Sequence, residues 1–451
     1  MIVRLGVMMF LQFFIWGAWF VTVGNYLTGS GEMGRVANAY STTPIAAILS
    51  PLFLGLVADR FLPAQVVMGL LHLLGGVFLC VLPNVDAGLF VPILFAHALC
   101  YMPTLGLSNT IAFANIQDQE KQFPIVRVFG TVGWIAAGLV VSKFLKADFD
   151  STQFYVAGVA AIALGLYSFA LPNTPPSMKG EKPSVGKLLG LDAVAMMRDR
   201  SFAVFAVCSM LLCIPLAFYY AFAPVFLDGI NVADPGFKMS FGQMSEVVFM
   251  AAMPWFFRRL GVKWMLLVGM LAWVVRYGLF AAAAPSEVMW LALGGVLLHG
   301  ICYDFFFVTG QIYVDKAAPP AIRGQAQGFL VLITQGIGML IGTRLGGLLV
   351  AQYKPAEAAA LEDEARELTT KAYETTGEAQ KALLDQAKAL GHEANTMVDW
   401  GSFWVVPGIA AAVIAAAFFA LFRNPPKSSH TLEAAATDGV LTAGSGVAEP
   451  A

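Results

Sequence analysis

Charge is what this sequence has least of. Asp, Glu, Lys and Arg make up 12% of its 451 residues, where soluble domains carry about a quarter. Apolar residues make up 58%. A water-soluble chain of this length needs a polar shell, and most of this one cannot supply it. The net charge of −2 offers no basic surface for nucleic acid. Cysteine is scarce as well. Cys80, Cys100, Cys208, Cys213 and Cys302 all lie inside apolar runs, and none forms a CxxC pair. They read as small packing residues, with no disulfide framework or zinc site implied. HExxH, GxSxG, a Walker loop and the paired aspartates of an intramembrane protease are all missing, and so is a soluble output domain of the kind a sensor carries. No catalytic residue, cofactor or metal is expected.

What is present is apolar sequence in lengths that cross a bilayer, about 20 residues each. Twelve spans can be drawn, at roughly 4–27, 37–58, 65–83, 88–113, 124–144, 153–171, 202–227, 239–257, 263–284, 287–313, 323–351 and 400–423. The first has one early Arg but is too long for the core of a cleaved signal, and it reads as a retained helix. Lys and Arg gather in alternate loops. Arg4, Arg60, Lys121, Lys179, Lys182, Lys187, Arg198, Arg258, Arg259, Lys316, Arg323 and Arg423 fall on one side, against Arg35, Lys143, Lys146 and Lys238 in the short loops of the other. The positive-inside rule makes the richer side cytoplasmic, with both termini there. The class is an all-α, multi-pass membrane protein expected to act as a monomer.

The long basic connection 172–200 divides the chain into residues 1–171 and 201–423, six spans each. "GLVADRF" after span 2 has a weaker counterpart, "FFRRLGVKW", after span 8. Two repeated six-helix halves with a site between them describe many secondary transporters. Residues 352–398 are rich in Ala, Glu and Lys, which predicts one helix or a hairpin broken near Gly377, solvated on the outer side. The tail 424–451 is small and polar and reads as disordered.

An ionised side chain at mid-bilayer costs at least about 2.5–3.5 kcal/mol, so each one marks a candidate site. Asp304 lies in the apolar run "GICYDFFFVTGQIYVDK". It either carries a proton or is a carboxylate fixed by an Arg or by hydroxyls. Gln243 and Glu246 stand one helical turn apart in "FGQMSEVVF", and an amide beside a carboxylate can grip a hydroxylated or heterocyclic solute. Arg127, Thr131 and Trp134 share a helix face. Arg127 either balances an acid across the bundle or snorkels to the cytoplasmic end. Arg276 reads as structural or as an acid's partner, and His72, His97 and His299 read as satisfied buried histidines.

Several stretches, in order along the chain, carry a resemblance: "FLQFFIWGAWFVTVGNYL", "YMPTLGLSNTIAF", "RVFGTVGW", "LLGLDA", "GQMSE", "WVVRYGLF", "YDFFFVTG" and "AIRGQAQG". With them the chain resembles the nucleoside:H+ symporter family of the major facilitator superfamily. The resemblance implies twelve transmembrane helices in two six-helix halves, proton-coupled nucleoside uptake across a bacterial inner membrane, and solute contacts at Arg127, Thr131, Trp134, Gln243, Glu246, Tyr303 and Asp304. Proton coupling falls to Asp304 and Glu246. One departure stands out: Ala217 and Tyr220 occupy the span 7 positions where characterised members carry amides. The alternative is therefore a proton symporter for another polar metabolite, such as a sugar or glycoside. Span 5 lacks the Gly-Pro motif of the superfamily's antiporters, which disfavours drug export.

Overall fold

The computed structural model describes residues 1–53, 61–176, 191–286, 288–319 and 322–423. The motif "GLVADRF" up to Arg60, residues 177–190 of the 172–200 connection and the tail 424–451 lie outside them. Among the described residues every regular element is helical. The first half holds α1 (Ile2–Phe20), α2 (Val23–Gly29), α3 (Val36–Phe53), α4 (Ala64–Val81), α5 (Ala87–Ala114), α6 (Gln119–Gly138) and α7 (Thr152–Ser168). The second holds α8 (Arg200–Gly229), α9 (Pro235–Ser286), α10 (Met289–Leu297), α11 (His299–Tyr303), α12 (Thr309–Ala317), α13 (Arg323–Val331) and α14 (Met339–Tyr353). A hairpin of α15 (Ala356–Tyr373) and α16 (Gly377–Thr396) follows, and α17 (Trp400–Leu421) closes the chain.

Nine of the described helical stretches are long and apolar enough to cross a membrane. One of them, α9, runs for 52 residues but turns back at Gly261, whose φ of 69° only glycine adopts easily, so it makes two crossings. The shorter α3 and α7 complete the set of twelve. α8 and α17 start on acidic caps: Asp199 accepts from the Phe202 amide at 2.8 Å and Asp399 from the Ser402 amide at 3.0 Å.

Lipid tails give no hydrophobic drive for helix pairing, so close approach of small residues does that work. A Cβ at Gly17 would lie 3.2 Å from the Trp134 carbonyl oxygen, and one at Gly133 would collide with that of Phe10. α1 and α6 therefore cross almost backbone to backbone.

The two halves meet at the end of the bundle opposite Met1 and Arg423, called here the far face. α2 packs on α8, α3 on α14 and α6 on α9. Asn25 Nδ2 donates to the Pro224 carbonyl at 3.2 Å, and the Ser41 and Thr343 hydroxyls lie 3.1 Å apart. Lys143 and Lys146 of the first half hold Asp234 of the second at 3.2 and 2.6 Å. The hairpin sits on this face.

Candidate functional site

On the first half the site grows from the α1–α6 crossing. Trp134 meets Trp16 edge-on at 5.5 Å and Phe20 at 6.3 Å. One turn earlier comes Thr131, half-buried, and another turn earlier Arg127. The guanidinium of Arg127 lies 4.2 Å from the Phe13 ring. Gly130 leaves the room for this: a Cβ there would come 2.6 Å from Arg127 Nη1.

On the second half the site grows from α9 against α11. Gly300 donates its amide to Ser245 Oγ at 3.0 Å, with the two backbones in contact. This fixes Gln243 and Glu246 opposite His299 and Tyr303. Glu246 keeps 18% of its side chain exposed, and its Oε2 lies 4.0 Å from His299 Nε2. Gln243 is buried and its Oε1 has no hydrogen-bond partner among the described residues. The His299 ring lies 5.4 Å from that of Tyr219 and 5.8 Å from that of Tyr303.

The helix then widens into a π turn over Asp304–Val308, a departure frequent at functional sites. The extra residue separates two neighbours in the chain. Tyr303 stays partly open, whereas Asp304 is fully enclosed, with neither carboxylate oxygen partnered among the described residues. Arg276 does not pair with it. Arg276 donates Nε–H to the Gly295 carbonyl at 3.1 Å and stacks 4.0 Å over Tyr219, while both Nη atoms lack a hydrogen-bond partner among the described residues.

The two half-sites face each other across the seam. Arg127 is within electrostatic reach of Glu246, and Glu246 of Asp304. Phe20 of α1 lies 6.1 Å from Tyr220 of α8, which itself stands 6.1 Å from His299. The structure thus brings Arg127, Trp134, Glu246 and Tyr303 around one seam, with Thr131 and Gln243 on the same helices. Asp304 sits behind it.

Two residues join the seam that sequence reasoning had not put there. His299, set aside as a satisfied core histidine, is beside Glu246, and the spacing of His299 and Tyr303, one helical turn, was the available signal. Tyr220 stands where an amide is lost, as a ring able to stack or hydrogen-bond, and it joins the aromatic rings of the two halves. Ala217 is buried against Gly342. The other two histidines are held by neighbours, His72 by Gln12 at 2.8 Å and His97 by the Gly75 carbonyl at 3.0 Å. An apolar crevice of about 330 Å³ beside Leu345, Leu348 and Val406 opens on the outer flank of the second half, away from these groups.

Comparison with known proteins follows the same line. The family model described as "Nucleoside H+ symporter" matches residues 1–427. The putative nucleoside transporter YegT of Escherichia coli K12 is 38% identical over 453 residues, 98% of this chain and 98% of that relative. The xanthosine permease of the same organism is 35% identical over 77% of this chain and 87% of its own. The solved structure of the nucleoside transporter NupG superposes with a TM-score of 0.77 at 28% identity, covering 94% of this chain and 99% of the other.

Proposed function

The chain belongs to the nucleoside H+ symporter family, and on that footing we propose that it imports nucleosides together with protons by alternating access of its two halves. Its twelve-crossing architecture is the major facilitator fold. The family is one of transporters, so the chemistry at the seam is solute binding and proton transfer rather than bond making.

The observation that carries the reading is a seam walled by aromatic rings from both halves, Trp16, Trp134 and Phe20 on one side and Tyr220 and His299 on the other, with Glu246 beside His299. A nucleoside has a flat base and a hydroxylated sugar. The base stacks between rings such as Trp134 and Tyr220. Gln243, with an unused carbonyl oxygen, can take a base N–H or a ribose hydroxyl. Glu246, Arg127, Thr131 and Tyr303 supply further donors and acceptors. An enclosed acid without partners carries either a proton or an uncompensated charge, and the second is costly. Asp304 is therefore assigned the coupling proton, with Glu246 as the acid that meets both proton and solute. The aromatic walls favour a nucleoside over a bare sugar.

The Lys/Arg asymmetry makes the end bearing Met1 and Arg423 cytoplasmic, so the closed far face is the outer one. The protein would then sit in a bacterial inner membrane as a single working chain. Uptake of a panel of radiolabelled nucleosides and sugars in a transport-deficient bacterial host tests the reading. Accumulation of at least one nucleoside, collapsed by a proton uncoupler, is expected; uncoupler-sensitive accumulation of a sugar alone would replace the solute.

A further inference from the structure

We propose that the α15–α16 hairpin is a latch: it clasps the two halves together over the far face and must leave the first half each time that face opens. The inference rests on the alternating access proposed above. The hairpin is built into the second half. Asn395 Nδ2 donates to the Val225 carbonyl at 2.8 Å and to Asp228 Oδ2 at 2.7 Å. His392 Nδ1 lies 2.9 Å from Asp228 Oδ1, and Trp400 Nε1 donates to the Asn395 carbonyl at 3.1 Å.

A solvated ornament would need nothing more, yet the hairpin also reaches the loop after α2 in the other half. There Arg366 donates Nη2–H to the Gly31 carbonyl at 3.1 Å, and its Nε stands 3.4 Å from Glu32 Oε1. Thr369 donates to the Ser30 carbonyl at 3.4 Å, and Lys388 pairs with Asp150 at 3.6 Å.

Two glycines show how close this docking is. Gly31 has φ +74°, and a Cβ there would strike the Glu362 carbonyl and lie 2.6 Å from the Arg366 amide nitrogen. A Cβ on Gly391 would strike the Thr28 carbonyl. Ala358, Ala365 and Ala372, and likewise Ala387 and Ala394, recur every seven residues and are all buried. A repeat of that length keeps small residues on one helix face. Small residues there let the two hairpin helices and the first half lie against one another.

The clasp is also releasable. Its polar contacts with the first half are two ion pairs, each with a solvent-reachable cation, and single hydrogen bonds, which are individually weak. It spans the α2–α8 pair, and those helices must part if the far face is to open. A clamp made of many weak contacts over the seam holds the closed state without making it permanent.

The test pairs Ser30→Cys with Thr369→Cys in the full chain and measures uptake of the best nucleoside from the panel. Oxidation should lower uptake at least tenfold, a reductant should restore it, and each single-cysteine variant should transport under both conditions. Oxidised, cross-linked protein that transports like its reduced form overturns the latch. If the parent moves no solute in the panel, the functional reading fails by itself, and a solute-free measurement decides the latch. In that arm, Thr22→Cys is labelled by an impermeant maleimide from the far face, with and without Arg366→Ala and Lys388→Ala. The latch predicts labelling several-fold faster in the weakened protein, and equal rates reject it.

Discussion

At the scale of single residues, the neighbours Tyr303 and Asp304 set the problem, because one turn of π helix gives them different surroundings. If Asp304 carries the coupling proton, Asp304→Asn abolishes proton-driven accumulation while counterflow exchange in liposomes persists in part. Loss of exchange as well would show that Asp304 also holds the solute. Uncoupler-sensitive accumulation at the wild-type rate would pass the proton role to Glu246. Gln243 makes a separate prediction. Gln243→Ala strands buried partners on the solute and should weaken binding by about 1–3 kcal/mol. Unchanged affinity in a folded variant, read by calorimetry, removes Gln243 from the site. The acids and Arg127 were legible as candidates because charge is expensive in apolar sequence. His299 was not, since a neutral histidine is not costly enough in a helix to stand out, and Tyr220 was legible only as a ring able to stack; a neighbour across space gives each its place.

Elements carry the next set of consequences. The connection between α6 and α7 buries Asp148 at the seam with α9, where Ser142 donates to it at 2.7 Å. Burial first, and then the nearby Asp234 and Asp228, push its carboxyl up to about 6 from an ordinary 3.8, with Ser142 opposing. A carboxyl raised by folding favours the folded state fully below its ordinary value and loses that contribution as pH climbs through about 6. Asp148→Asn cannot ionise, so thermal unfolding in detergent should show the variant gaining on the wild type between pH 5 and pH 8. An identical difference at both pH values would mean that Asp148 does not titrate there. The helical composition of 352–398 was plain in the sequence, and so was a possible break at Gly377. The docking of that hairpin on Gly31 and Thr28 was not, because its partners are more than 300 residues away in the chain. The π turns at Asp304–Val308 and Leu332–Gly338 leave no periodicity signal of their own either.

For the whole molecule the testable statement is topology. Single cysteines introduced near residue 375, in the hairpin turn, should be labelled from outside intact cells by an impermeant reagent. Cysteines at 180–187 should be protected until the membrane is permeabilised. The reverse pattern would invert the protein in the membrane and make the far face cytoplasmic. It would also reverse which compartment the latch closes against.

The class, the number of crossings and the chemistry on offer were legible in the linear chain. Those follow from local physics: about 20 apolar residues make a span wherever they occur, and an ionisable group inside one declares itself by its cost. Which of those groups act together was decided only by tertiary structure. Phe20 and Tyr220 are 200 residues apart and come within 6.1 Å across the seam, while Gly17 and Gly133 let α1 and α6 cross closely and Gly300 seats α11 on α9. The enclosure of Asp304, the aromatic bridge through Tyr220 and the clasp over the far face are all relations between helices. Spacing within one helix cannot encode them, because they depend on how closely separate backbones approach.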